Sequence, residues 1–280
     1  MKLIIQRDID GQDRWGELMI VARLSLMALL LISLSGSVHS QELRELETDR
    51  PDATESPVTV DRGHFQLESS FFSVSRDDAA DGSRTDTWGV GESNIKYGLS
   101  DRADLQLVFT PYVRETVTTA AGKTTADDFS DVTLRLKYNL WGNDDGETAF
   151  GLMPVIKIPT DTAVSNGEWE GGIVTPFSWR AGEKWGVGSQ VQIDRVYDDD
   201  EDEMDWEFSH TAVVGFDLSE RWGIYLEYLG VAGDRPYDSF FSGGMTFALQ
   251  EFIQLDAGTL IGLNDEAEDV TIFTGISWKF

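Results

Sequence analysis

The sequence contains no cysteine, which excludes a disulfide framework, thiolate metal sites and cysteine nucleophiles. Histidine is almost as scarce, with three in 280 residues. Basic residues are few: 22 Lys and Arg stand against 50 Asp and Glu, a formal charge of −28. That balance excludes nucleic acid as a partner, because phosphate binding needs Lys and Arg to displace counterions. Long apolar runs are also missing. The one extended run, Leu24 to Leu34, is too short to span a membrane as a helix, which takes about 20 residues. Glycine (27) and aromatic residues (15 Phe, 9 Trp, 7 Tyr) are plentiful, a composition that suits strands and turns better than a helical bundle.

Arg23 precedes the apolar run, and Val38-His39-Ser40 follows it as a small-x-small site before Gln41. This is the pattern of a Sec-type signal peptide; a buried helix of a soluble protein is the alternative. Residues 1–18 are polar, and both Met1 and Met19 are candidate starts. The chain therefore divides into an N-terminal extension with signal peptide (1–40), a lead-in segment (41–62) and a β-domain (63–280). Residues 1–40 hold four basic and four acidic groups, so their removal leaves the charge at −28.

From Gly63 onward, apolar and polar residues alternate with period two. Val132, Leu134, Leu136, Tyr138 and Leu140 share one face, and Thr133, Arg135, Lys137 and Asn139 the other. The same holds for Val270 to Phe280 and for Trp185 to Asp194. About twelve strands are expected, near 63–76, 86–98, 104–117, 130–141, 147–159, 172–181, 184–197, 205–218, 221–231, 239–250, 252–262 and 270–280. Connections alternate between long polar ones (77–85, 118–129, 160–171, 198–204, 232–238, 263–269) and short ones. Trp141, Trp179, Trp185, Trp222 and Trp278 fall near the short-turn ends, and Trp88 and Trp206 near the long-loop ends. Segment length, loop alternation and two aromatic levels predict an all-β fold, a transmembrane antiparallel up-and-down β-barrel of about 12 strands. Its location would be the outer membrane of a Gram-negative bacterium, with both termini periplasmic. Phe280, closing an amphipathic last strand, is the expected signal for the barrel-assembly machinery. Pro111, Pro154 and Pro176 fall inside strands and predict bulges or frayed pairing there. His210 falls on the lipid-facing side of its strand, which points to a local error of register or a site near the rim.

Glu47 to Pro57 reads ETDRPDATESP, and Gly63 to Glu68 follows as a GxxQxE first strand. These residues resemble the start of a family of outer-membrane transporters named for association with meta-pathway phenol degradation. Lys157-Ile158-Pro159-Thr160 is similar to that family's KxPTG element, with Asp161 where glycine is usual. The resemblance implies a barrel passing small, aromatic or apolar, solutes. For the periplasmic motif itself (Asp49, Arg50, Pro51, Asp52, Thr54, Glu55, Ser56) two readings stand: a salt-bridged plug or clasp in the periplasmic mouth, or a fixed lead-in to the first strand.

The polar faces place Glu68, Glu92, Lys96, Arg114, Arg135, Lys137, Lys157, Arg180, Asp194, Glu207, Glu227 and Asp256 in the lumen. Such groups either line a narrow, charge-selective pore for small-molecule solutes by passive diffusion, or pair with one another and fill the barrel. A non-conducting structural or adhesive surface barrel is the alternative function. The run Asp198 to Asp205 lacks the glycine and spaced glutamate of a calcium loop and is read as a solvated loop. Divalent cations binding diffusely to it, and to Asp265, Glu266, Glu268 and Asp269, would bridge these loops to outer-membrane lipids and anionic lipopolysaccharide. No metal, cofactor or catalytic residue is expected: neither His64 nor His210 stands in a His-x-Ser arrangement.

Overall fold

The computed structural model describes residues 43–144, 146–198 and 202–280. The expected signal peptide lies outside them, as do residues 199–201 of the acidic run. The described chain forms β1 (Phe65–Asp78), β2 (Arg84–Val90), β3 (Ser93–Ser100), β4 (Ala103–Phe109), β5 (Tyr112–Thr119), β6 (Gly122–Asp128), β7 (Val132–Trp141), β8 (Thr148–Ile158), β9 (Glu170–Arg180), β10 (Trp185–Asp198), β11 (Glu203–Asp217), β12 (Trp222–Ala232), β13 (Asp238–Gln250), β14 (Ile253–Gly262) and β15 (Val270–Lys279). All pairings are antiparallel, and β15 returns to β1, so the sheet closes. Three staves are interrupted. β2 and β3 pair with successive halves of β1, and β5 and β4 pair in turn with β2 and β3. β6 continues the line toward β7 in the same way. The barrel thus has twelve staves, as the alternation predicts.

Each in-strand proline sits where the ladder is open. Pro111 marks the break between β4 and β5. β7 and β8 pair on both sides of Met153-Pro154 but not across it, and β8 and β9 likewise skip Thr175-Pro176. A residue without an N–H cannot complete the ladder, so the gap falls there.

The pleat sorts residues inversely to a water-soluble protein. The largest fully buried side chains include Lys137, Gln66, Gln106, Glu68, Glu227, Asn139 and Asp104. Leu136, Ile173, Ile193, Val214, Leu226 and Ile272 are exposed on the outer face. An apolar belt of this extent is stable against lipid and not against water. At the end where the barrel begins and closes, here the near end, ring pairs Trp185–Phe216, Trp222–Phe247, Trp141–Phe150 and Trp278–Phe280 pack with centroids 4.5–5.0 Å apart. Exposed Trp88 and Trp206 mark the far end. These are the two aromatic levels of a membrane barrel. Phe280 is part of the near-end level, stacked also on Phe65 at 6.0 Å.

Two expectations need correction. Connections 77–85 and 118–129 are not long loops. β1 and β2 run on to a turn at 79–83, and β5 and β6 form a hairpin turning at Ala120-Ala121. Threonines 116, 118, 119, 124 and 125 favour extended backbone, and Thr116 and Thr125 meet across the strands at 3.2 Å. Arg114 does not face the lumen. It registers with Trp88, which registers with Val74, on the face opposite Ser73, and Ser73 lines the lumen cavity. The β1 register shifts between Ser70 and Phe72, so every position on that side of the shift changes face.

The turn after β8 keeps its geometry without glycine. Asp161 adopts φ +54°, a left-handed conformation that Asp tolerates better than most residues. Lys157 on its near side is held by Asn166 at 2.7 Å and Glu170 at 2.8 Å.

Candidate functional site

Leu43 to Val60 has no place in the sheet. Its amides still need partners, and it finds them by crossing the lumen and bonding to inward-pointing side chains. The Asp49 and Arg50 N–H groups donate to the Glu68 carboxylate at 3.1–3.2 Å. The Ala53 N–H donates to Glu227 at 2.9 Å, and the Glu55 N–H to Gln190 at 2.7 Å. The Thr59 and Val60 N–H groups reach Asn143 at 2.8 Å and Asp104 at 3.0 Å. Asn139 donates to the Pro57 carbonyl at 2.9 Å, and Thr54 meets Thr211 at 2.5 Å. Nearest the barrel mouth, Lys279 donates to the Arg44 and Glu45 carbonyls. The partners come from β1, β4, β7, β10, β11, β12 and β15, so the segment is moored around most of the wall. Among the described residues, every one of these moorings involves a side chain. None is a backbone ladder.

Charge fixes the centre. Asp49 bridges Lys96 and Lys137, the latter at 2.7 Å, and Lys96 also holds Glu68. Arg50 grips Asp256 with two nitrogens, at 2.7 and 3.2 Å, and donates to Ser70 at 2.7 Å. Two-point guanidinium–carboxylate contacts fix direction as well as distance. Glu55 pairs with Arg135 at 2.6 Å. Burial alone would raise the Asp49 carboxyl, but the two lysine ammoniums outweigh it and hold it well below its usual range. Glu55 goes the other way. Burial, then the neighbouring Asp49 charge, pushes it up to about 7.

The segment divides the interior into two cavities, of about 420 Å³ toward the far end and about 930 Å³ toward the near end. Asp52 and Glu55 line both, so one thickness of chain separates them. Of the residues assigned to the lumen by alternation, Glu68, Lys96, Arg135, Lys137, Glu227 and Asp256 converge on the segment. Glu92 lines the far cavity and Arg180 the near one. Lys157 lies on the inner face of β8 beyond the segment, and Asp194 and Glu207 stand opposite each other on β10 and β11. Other moorings had escaped notice: Gln66, Ser70, Asp104, Asn143, Gln190, Thr211 and Gln254. The signal was available for Gln66, Ser70, Gln190, Thr211 and Gln254, each in phase with a charged inner residue of its own strand. Of the motif, Asp49, Arg50, Thr54 and Glu55 hold the wall, while Ser56 donates its N–H back to Asp49 at 2.9 Å. Pro51 lines the far cavity, and Asp52 lines both.

His64 and His210 lie apart from this site. His64 contacts the Arg62 carbonyl at 3.2 Å. His210 sits on the outer face, as the alternation placed it, against Phe208, Tyr228 and Tyr237, with 3.3 Å to the Tyr237 hydroxyl. A tyrosine cluster accommodates it there, and no register error is involved.

A closed, inverted, girdled sheet with its bore crossed by an N-terminal segment defines a β-barrel of the outer-membrane type. The profile of the family described as "Putative MetA-pathway of phenol degradation" matches residues 48–280, and the chain belongs to that family. Among solved structures it is similar to the COG4313 outer membrane channel from Pseudomonas putida F1, at TM-score 0.64 and 17% identity, covering 84% of this chain and 100% of that one. The NanC porin (0.49, 10% identity, 77% and 100% covered) and the beta domain of the Bordetella autotransporter Brka (0.49, 13%, 79% and 100%) are more distant. Comparison with curated proteins gives no match.

Proposed function

We propose that this chain is an outer-membrane channel for small solutes, aromatic ones among them, in which residues 43–60 form the gate. One observation carries the reading: the segment closes the bore through side-chain contacts alone, so it can leave without breaking a strand ladder. Water entering a twelve-stave lumen then resolvates the freed groups. The family's association with phenol degradation supports aromatic solutes. The near end, holding both termini, is taken as periplasmic, and the acidic far-end loops as exterior, facing lipopolysaccharide. Phe280 in the near-end girdle is taken as the residue read by the assembly machinery. Liposome swelling with phenol, benzoate and a pentose tests the reading. Faster entry after removal of 43–60 supports it, and equal, negligible entry with and without the segment overturns it.

The density of buried ion pairs favours a second reading, a non-conducting structural barrel. The same swelling experiment separates the two.

The gate's own acids give it a pH dependence. Glu55 and Asp52 both have raised values in the docked segment, by burial first, then by Asp49 and Glu227 respectively. A raised carboxyl favours the docked state at low pH, and that advantage is lost as pH rises through about 7. Asp49 has the opposite shift, but its effect falls below the ordinary carboxylate range. Open-channel probability in planar bilayers is therefore expected to increase from pH 5 to pH 8. A flat or inverted profile would count against these carboxyls as gate-setting groups.

A further inference from the structure

On the inner wall, Tyr225, Gly244, Gly258 and Phe273 stand in register across β12, β13, β14 and β15. The two glycines leave the wall bare between two rings, and the rings turn into that space. A side-chain carbon placed on Gly244 would lie 2.7 Å from Tyr225 Cε1. One placed on Gly258 would lie 2.6 Å from the Tyr225 hydroxyl and 2.7 Å from Phe273 Cζ. Tyr225 therefore runs along the wall instead of pointing into the bore, with its hydroxyl 3.0 Å from that of Ser242. Glycine inside a strand often marks a close approach to the backbone, and here aromatic rings make both approaches. They form an aromatic panel in a wall otherwise set with Glu68, Lys96, Lys137, Glu227 and Asp256.

The panel joins the two cavities. Phe273 lines the far one and Tyr225 the near one, and the segment passes between them. Arg50 of the segment stands over the Phe273 ring, its guanidinium carbon 5.8 Å from the centroid, while it grips Asp256. Docking thus places a guanidinium where an aromatic ring would stack.

We propose that the Tyr225–Phe273 panel is the binding surface for single-ring aromatic solutes, and that a solute stacked on it competes with Arg50 and so favours the open gate. The inference rests on the channel reading and adds where the ring binds and how the cargo opens its own path. A stacked ring gains more than its buried area alone supplies. A ligand that binds the undocked state better shifts the docking equilibrium by that difference in affinity. Rings laid over glycines also repair the packing of a sheet. That role alone would not distinguish an aromatic solute from a saturated one of the same size.

The test is hydrogen exchange of the full chain, folded in detergent, with phenol or with cyclohexanol at the same concentration. The Arg50 and Ala53 amides, which donate to Glu68 and Glu227, report docking. Phenol is expected to speed their exchange at least about threefold over cyclohexanol while strand amides stay protected. Phe273→Leu should remove the difference and Phe273→Tyr should keep it, in proteins that retain heat-modifiable gel mobility. Gly258→Ala, which sets a methyl between the two ring tips, should reduce it without altering either ring. Equal exchange with the two alcohols, or a difference that survives Phe273→Leu, would overturn the proposal. Conductance recorded on the same preparations keeps the two ideas apart. A barrel that conducts but treats the two alcohols alike defeats only this inference. One in which phenol releases the segment and no current follows defeats only the channel.

Discussion

Deletion of residues 43–60 is expected to raise single-channel conductance by about tenfold or more, because it clears the only described segment that crosses the bore. The barrel itself should survive. Its ladder runs from β1 round to β15 without any backbone bond from those residues, and its lipid-facing surface is unchanged. The exposed ammoniums of Lys96 and Lys137 and the carboxylates of Glu68, Asp256 and Glu227 would then line a wet lumen, where water solvates them. Heat-modifiable mobility confirms the fold, and planar bilayers read the conductance. A deletion variant that folds and stays silent would mean the wall itself closes the pore.

Asp49→Ala is the single substitution expected to do most damage to the gate. The Asp49 side chain is buried, and its loss leaves Lys137 with only a 3.9 Å contact to Glu55 and Lys96 with Glu68 alone. Removing one partner of a buried ion pair costs about 3–5 kcal/mol, a factor of about 10² to several times 10³ in the docking equilibrium. The cost falls on docking and not on the sheet. Hydrogen exchange at the Arg50, Ala53 and Glu55 amides, which donate to Glu68, Glu227 and Gln190, should speed up by that factor while strand amides stay protected. Arg76→Ala, which breaks an exposed pair with Asp86 at 2.8 Å, is the control and should change little. If both variants exchange alike, the buried cluster is not what holds the segment.

The barrel was legible because a membrane imposes one rule on every strand, apolar outward and polar inward, and period two records it. Leu134, Leu136 and Tyr138 against Arg135 and Lys137 show it without any structure. The rule fails where the chain gains a residue. The bulge between Ser70 and Phe72 and the break at Pro111 switch the phase, and Arg114 lands on the wrong face for a strict alternation. Polar hairpins such as β5–β6 escape because no lipid acts on them, so they carry turn-like composition on extended backbone. The acids and Arg50 of the lead-in segment allowed a salt-bridged plug or clasp in the periplasmic mouth as one of two readings, but its partners were not legible. Arg50 meets Ser70, 20 residues on, and Asp256, 206 residues on, and no local periodicity encodes contacts at such separations. The neutral moorings, Gln190 and Asn143 among them, were passed over because charge drew attention and amides did not.

The most direct measurement of the central claim, that residues 43–60 gate the bore, uses the absence of native cysteine. Thr54 and Thr211 touch at 2.5 Å between hydroxyl oxygens, close enough for Thr54→Cys and Thr211→Cys to form a disulfide. In the loosened Asp49→Ala background, single-channel recordings should be silent while that bond is oxidised and show opening events after reduction. Equal conductance in the two redox states would contradict the account.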